Sequence, residues 1–153
     1  MWSAALKTSF RSDIGDGRDT SKNRIMIPMP VHAISILIVE DAQEMRDAIE
    51  ALLRRDGYWV SPARNEDDAV ARIHANPPDL ILISLGGTTE HLLSTARRIR
   101  DRGGLTTSTP IVIFSIANFP EGVEEQIGGN IFITAPDNFD QLRTLLIRIL
   151  RKS

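Results

Sequence analysis

The stretch from Ser35 to Glu50, SILIVEDAQEMRDAIE, opens with an uncharged apolar run, Ile36 to Val39, that stops on two adjacent carboxylates, Glu40 and Asp41. Beyond them Met45, Ala48, Ile49, Leu52 and Leu53 recur at helical spacing. A short apolar run bounded in this way reads as a strand covered on both faces, and the pattern after it as an amphipathic helix. The two acids therefore stand where a buried strand gives way to a helix. In open α/β sheets that carboxyl edge is where ligands bind. Acids held close together repel, and a cation is what makes such a pairing favourable. The plain alternative is that Asp41 caps the helix while Glu40 faces water.

Working outward, Gly57 is placed to end the first helix, and Tyr58-Trp59-Val60 opens a second strand. Pro62 removes a ladder donor, so this strand belongs at a sheet edge. Asn65 can cap a second helix built on Ala69, Val70 and Ile73, which Asn76-Pro77-Pro78 terminates. Asp79 to Leu85 (DLILISL) reads as a central third strand. Leu92, Leu93, Ala96 and Ile99 give a third helix, closed by Gly103-Gly104. Pro110 leads into a fourth strand, Ile111 to Ile116. A short, poorly patterned segment around Val123 and Ile127 follows, then a fifth strand, Asn130 to Ala135. Pro136 precedes the last helix, Asn138 to Lys152. Five strands alternating with helices predict an α/β fold, a doubly wound five-stranded parallel sheet with right-handed crossovers and helices on both faces. The edge second strand and central third strand fit the order 2-1-3-4-5, whose switch point lies between strands one and three. Glu40, Asp41 and Ser84 end their strands there.

Composition removes several function classes. The 153 residues suffice for one cored domain, here residues 34–153, and without cysteine there is no disulfide, zinc–thiolate site or thiol nucleophile. A formal net charge of −2 argues against direct nucleic-acid binding by bulk charge. No apolar run is long enough to cross a membrane, and the first residues lack a secretory signal, so a cytoplasmic location is expected. Residues 1–33 differ from the rest: Arg11 to Arg24 (RSDIGDGRDTSKNR) is polar and Gly-containing. Two readings compete, a flexible N-terminal extension or upstream sequence annexed ahead of a start at Met26 or Met29. A weaker third idea makes Trp2, Leu6 and Phe10 a short docking helix.

With those positions named, residues 34–152 resemble the receiver (CheY-like) domain of bacterial two-component response regulators, a flavodoxin-like fold. ILIVED followed by Met45-Arg46 is similar to that family's first strand and acidic pair. GYWVSPARNEDDAV resembles its second strand and helix entry, and PDLILIS its third strand. Ile111 to Ser115 and Asn130 to Pro136 are similar to its fourth and fifth strands. The resemblance implies an acidic pair that helps hold Mg²⁺, a third carboxylate that takes a phosphoryl group from a histidine kinase, and a hydroxyl and a lysine that read it. Glu40 and Asp41 match the metal pair, Gly86 the carbonyl ligand, Ser115 the hydroxyl and Phe132 the aromatic switch position. Two matches fail: Ser84 stands at the phospho-acceptor position and Ala135 at the lysine position. The loop Leu85-Gly86-Gly87-Thr88 lacks the family's usual Met-Pro, and the stretch from Ser115 to Ala135 is short enough to suggest a reduced fourth helix.

These losses have chemical consequences. An ionised aspartate attacks phosphorus without a base, whereas a serine needs one, and His32, His74 and His91 lie away from the crevice in this reading. Losing a carboxylate removes a charged metal ligand, and losing the lysine leaves a transferred phosphoryl oxygen without its cation. The expectation is a pseudo-receiver, not an enzyme, needing no cofactor and retaining at most weak Mg²⁺ binding. Ser84 would then fill space, its hydroxyl bonded to Asp41 or water. In the last helix Leu142, Leu145, Leu146 and Ile149 make the buried stripe, leaving Ile147 outside it beside Arg143, Arg148 and Arg151. An apolar residue among arginines suits an interface; single exposed apolar residues are also common. The expected partner is a protein, a histidine kinase or other signalling protein or a second copy, meeting the face of the fourth helix, fifth strand and fifth helix. The end at Ser153 predicts no DNA-binding output domain. The alternative is a Mg²⁺-dependent receiver still phosphorylated at an unorthodox residue. A small nucleotide-binding enzyme is disfavoured, because DAQEM stands where a Gly-rich phosphate loop would.

Overall fold

The computed structural model of the chain describes residues 33–114, 122, 124–135 and 138–152. The readings placed on residues 1–32 and on Ser115 lie outside these.

The elements run β1 (Ser35–Val39), α1 (Gln43–Arg55), β2 (Trp59–Ala63), α2 (Glu66–Ala75), β3 (Leu80–Ile83), α3 (Thr89–Arg102), β4 (Ile111–Phe114), β5 (Glu124–Ile127), β6 (Ile131–Thr134) and α4 (Phe139–Lys152). They form one sheet in the order β2-β1-β3-β4-β6-β5. The first five in that order are parallel neighbours, the expected doubly wound arrangement. β2 is an edge strand, as Pro62 requires.

Alternation along the strands divides the core into two layers. Ile36 and Ile38 face α1 and α4, packing with Leu52, Leu53, Leu142 and Leu146. Leu37 and Val39 face α2 and α3, packing with Ala69, Ile73, Ala96 and Ile99. Each central strand is thus buried on both sides, which is why β1, β3 and β4 read as unbroken apolar runs.

Local signals are met where they were read. At the end of α1 the Gly57 N–H donates to the Arg54 carbonyl and the Tyr58 N–H to the Leu53 carbonyl, a Schellman pair that needs the positive φ of 95° at Gly57. The Asn65 side chain accepts from the Asp68 N–H at 2.8 Å and caps α2.

The sheet departs from expectation at one edge. The poorly patterned segment is a sixth strand, β5, which pairs antiparallel with β6. Glu124, Glu125 and Gln126 are all exposed and only Ile127 packs on the core, so β5 carries no alternating pattern to find. A short turn joins the two strands, with Gly129 and Asn130 at φ 80° and 63°, values that glycine and asparagine tolerate. Among the described residues no helix lies between β4 and β6. Among the described residues, the part of the face expected from a fourth helix, fifth strand and fifth helix consists of β5, β6 and α4.

Candidate functional site

β1 and β3 end side by side at the carboxyl edge of the sheet, with Val39 in register with Ile83. The next residue of each strand supplies the crevice. Glu40 prolongs the β1–β2 ladder by donating its N–H to the Ala63 carbonyl at 3.0 Å, and Ser84 donates its N–H to the Val39 carbonyl at 2.8 Å. These anchors bring the two side chains together. The Ser84 hydroxyl donates to Glu40 Oε1 at 2.7 Å, and the Ala42 N–H donates to Glu40 Oε2 at 3.0 Å.

Glu40 is 2 % exposed and Ser84 8 %. The alternative in which Glu40 faces water is overturned, and the Ser84 hydroxyl, expected to bond Asp41 or water, meets Glu40 instead. Asp41 lies one residue past the ladder and is exposed, out of the layer that holds Ser84. Nor does Asp41 cap α1, whose N-cap is Ala42 with no side-chain cap bond. The acidic pair is thus split between one buried carboxylate and one solvated one.

Gly86 is exposed in the β3–α3 loop. Among the described residues no group of three histidines, cysteines or carboxylates could hold a metal ion. Ala135, 3 % exposed, fills its position with a methyl group, and its carbonyl accepts from the Gly122 N–H at 2.7 Å. Phe132 is half-buried and packs on the layer shared with α1 and α4.

Two neighbours of the crevice escaped the sequence reading. Arg46 donates from Nη1 to the Glu40 carbonyl at 2.7 Å, so a guanidinium sits over the acid turn. Its spacing of six residues from Glu40 is the only sequence signal, and it has no fixed meaning without the turn geometry. His91, which the reading left away from the crevice, lies on the first turn of α3 with its ring against the loop. A Cβ at Gly87 would come within 2.9 Å of its Cδ2. Thr88 caps this helix through its hydroxyl, which accepts from the His91 N–H at 3.1 Å and helps to fix the ring's position.

On α4, Ile147 is 41 % exposed while Leu142, Leu145, Leu146 and Ile149 are buried, as the helical wheel implied. The arginines around it are not equivalent. Arg143 donates from Nε to Asp56 at 2.8 Å and from Nη1 to Asp140 at 2.7 Å, and its guanidinium lies 4.8 Å from the Phe139 ring centre. Arg148 is bonded to Glu124 of β5. Arg151 is exposed. Two of the three arginines expected to frame a contact are therefore engaged in holding the fold together. Among the described residues no helix is long and apolar enough to cross a membrane.

Known proteins agree with this architecture. The phosphate regulon transcriptional regulatory protein PhoB of Pseudomonas aeruginosa is 34 % identical over 125 residues, 78 % of this chain and 52 % of that protein. The transcriptional regulatory protein KdpE of Staphylococcus aureus is 30 % identical over 119 residues, 76 % of this chain and 49 % of that protein. The chain thus spans about half the length of these curated relatives. Among solved structures, the N-terminal domain of a response regulator/sensory box/GGDEF protein from Carboxydothermus hydrogenoformans superposes with a TM-score of 0.56 at 26 % identity, covering 76 % of this chain and 94 % of that one. The response regulator receiver domain family itself matches residues 36–147, and with β1 to α4 in the order just described the chain belongs to that family.

Proposed function

We propose that this chain is a pseudo-receiver, which keeps the receiver fold, does not form an aspartyl phosphate, and acts by binding a protein partner in the cytoplasm. The observation that carries the reading is the Ser84–Glu40 bond. At the position where the resemblance calls for a phospho-acceptor carboxylate there is a neutral hydroxyl, its proton directed 2.7 Å away onto a buried acid. An acyl phosphate cannot form on serine. With Ala135 at the lysine position, the crevice also lacks the lysine that the resemblance calls on to balance a transferred phosphoryl group.

The donor set does not fit a resident Mg²⁺. That ion keeps several waters and is held by carboxylates in near-octahedral geometry. Here Glu40 accepts from Ser84 and Ala42, Asp41 faces solvent, and Ser84 offers no charge.

The same bond favours one other reading. A hydroxyl 2.7 Å from a carboxylate has nucleophile–base geometry, so Ser84 is the residue an unorthodox phosphorylation would use. One experiment separates the two. The chain is incubated with acetyl phosphate and Mg²⁺ and its intact mass measured before and after hydroxylamine. The pseudo-receiver stays unmodified. A hydroxylamine-labile adduct would show a working carboxylate acceptor, and a resistant adduct mapped to Ser84 would establish the alternative.

A further inference from the structure

We infer that the outer edge of β5 is a docking strand for an extended, basic segment of a partner protein, which would add to the sheet as a seventh strand. The inference rests on the reading of the chain as an interaction module and names the chemistry of its partner.

β5 is hydrogen-bonded to β6 on one side and ends the sheet on the other, so among the described strands its outer row of N–H and C=O groups has no ladder partner. Such a row is a template for another chain. What distinguishes this edge is how firmly it is held. Arg100, 6 % exposed on α3, donates from Nη1 to the Gly129 carbonyl at 2.6 Å and from Nη2 to the Thr109 carbonyl at 2.7 Å. Among the described residues its Nε has no hydrogen-bond partner, so a guanidinium is desolvated and incompletely satisfied while it pins the β5–β6 turn. From the opposite layer, Arg148 of α4 bonds Glu124, and Gln141 donates from Nε2 to the Gly122 carbonyl at 2.8 Å. The strand is clamped from both faces and presented in a fixed position.

Its side chains select the occupant. Ile127 packs with the layer of α2 and α3, so Glu125, two residues earlier, projects on that same face. Glu124 and Gln126 project on the α4 face, where Glu124 already has Arg148. Glu125 is exposed and has no ion pair among the described residues. A second copy is a poor occupant. Antiparallel addition about a two-fold axis normal to the sheet pairs residues of equal parity. It therefore sets Glu125 against Glu125, or Glu125 against Ile127. An incoming strand with a cation opposite Glu125 and an apolar residue opposite Ile127 meets neither penalty.

The test uses the full chain and no phosphodonor. The probe is a peptide of sequence KTVTKT, with lysine and valine on one face and threonine on the other, titrated into ¹⁵N-labelled protein. Saturable amide shifts centred on 124–127 are expected. Glu125→Lys should weaken binding about tenfold with an unchanged melting temperature, and N-methylating alternate peptide nitrogens should abolish it. Shifts centred elsewhere, binding indifferent to Glu125→Lys, or binding that survives N-methylation would overturn strand addition, as would sedimentation showing copies joined through β5. Acetyl phosphate labelling of the same preparation keeps the two proposals apart. Modification removes the pseudo-receiver reading, whereas an unmodified protein with a silent β5 removes only this inference.

Discussion

The carboxyl edge of the sheet and its β5 edge treat charge in opposite ways. At the carboxyl edge Ser84 and Ala135, small and neutral, stand where the resemblance calls for a carboxylate and a lysine, and the remaining buried acid, Glu40, is occupied by a hydroxyl and a backbone N–H. At the β5 edge Arg100 is buried with no carboxylate partner among the described residues, Arg148 reaches across from α4, and two glutamates stand on a strand of four residues. Two of the charges that the resemblance calls for are missing at the carboxyl edge, while at the β5 edge charged side chains hold the strand in place. The difference predicts that the first region will be silent to ions and phosphodonors while the second controls stability and association.

The sharpest way to break that contrast is Arg100→Met. The substitution leaves the Gly129 and Thr109 carbonyls without their donor and should cost about 3 kcal/mol in urea unfolding, at roughly 1.5 kcal/mol for each charge-assisted bond. Burial lowers the Arg100 pKa by desolvation, an indication that holding this cation inside carries a cost. Hydrogen exchange should accelerate first at 124–134. If Arg100→Met is neutral and exchange is unchanged, the hairpin is held by something else and the docking edge loses its foundation.

The next effect belongs to the crevice. Ser84→Asp would set a carboxylate against Glu40 across the present 2.7 Å contact, costing about 2 kcal/mol at neutral pH through like-charge repulsion in a buried site. Millimolar Mg²⁺ should restore most of that loss in the variant and leave the wild-type melting temperature unmoved. Equal stabilisation of both proteins by Mg²⁺ would show that the wild-type crevice is a metal site after all.

These two regions were unequally legible. The parallel sheet could be read because β1, β3 and β4 are buried on both faces and therefore apolar without interruption. Pro62, Gly57 and Asn65 each announce a local constraint that the fold honours. β5 could not be read, because a strand that buries only Ile127 has no period, and its pairing is decided by the turn at Gly129-Asn130 and by Arg100 from a distant helix. In the crevice the identity of the residues was clear and their partners were not. Which acid meets Ser84 depends on Glu40 continuing the β1–β2 ladder while Asp41 leaves it, a difference of one residue that composition does not encode.

A smaller effect concerns the surface clamp between α2 and α3. Glu66 accepts from Arg98 and Arg102, and the hydrogen bond from Arg98 is the main reason its carboxyl titrates below the ordinary value of 4.5. A depressed carboxyl stabilises the fold above its unfolded pKa, and the contribution disappears as pH falls through the folded value. The pair is partly solvated, so it should contribute less than about 1 kcal/mol and less again in high salt. Glu66→Gln should therefore cost that whole contribution, under about 1 kcal/mol, at pH 7 and progressively less as pH falls, flattening the stability profile below about pH 4.5. A loss at pH 7 as large as that of Arg100→Met would mean that surface pairs, not the buried clamp, hold this side of the molecule.

The smallest expected change in stability comes from Ile147→Asp, and its smallness is the point. Ile147 is 41 % exposed on a helix whose buried stripe is complete without it, so the melting temperature should shift by no more than about 0.5 kcal/mol implies. The same substitution should weaken partner binding, because it puts a carboxylate among Arg143, Arg148 and Arg151 and offers Arg148 a rival to Glu124. The two glutamates of β5 would then be tested from the helix side. If Ile147→Asp weakens a partner that Glu125→Lys also weakens, the two changes report on one continuous surface spanning α4 and β5. If only Ile147→Asp has an effect, the helix face binds without the strand edge. A large fall in melting temperature would place Ile147 in the core and take the α4 face out of the comparison.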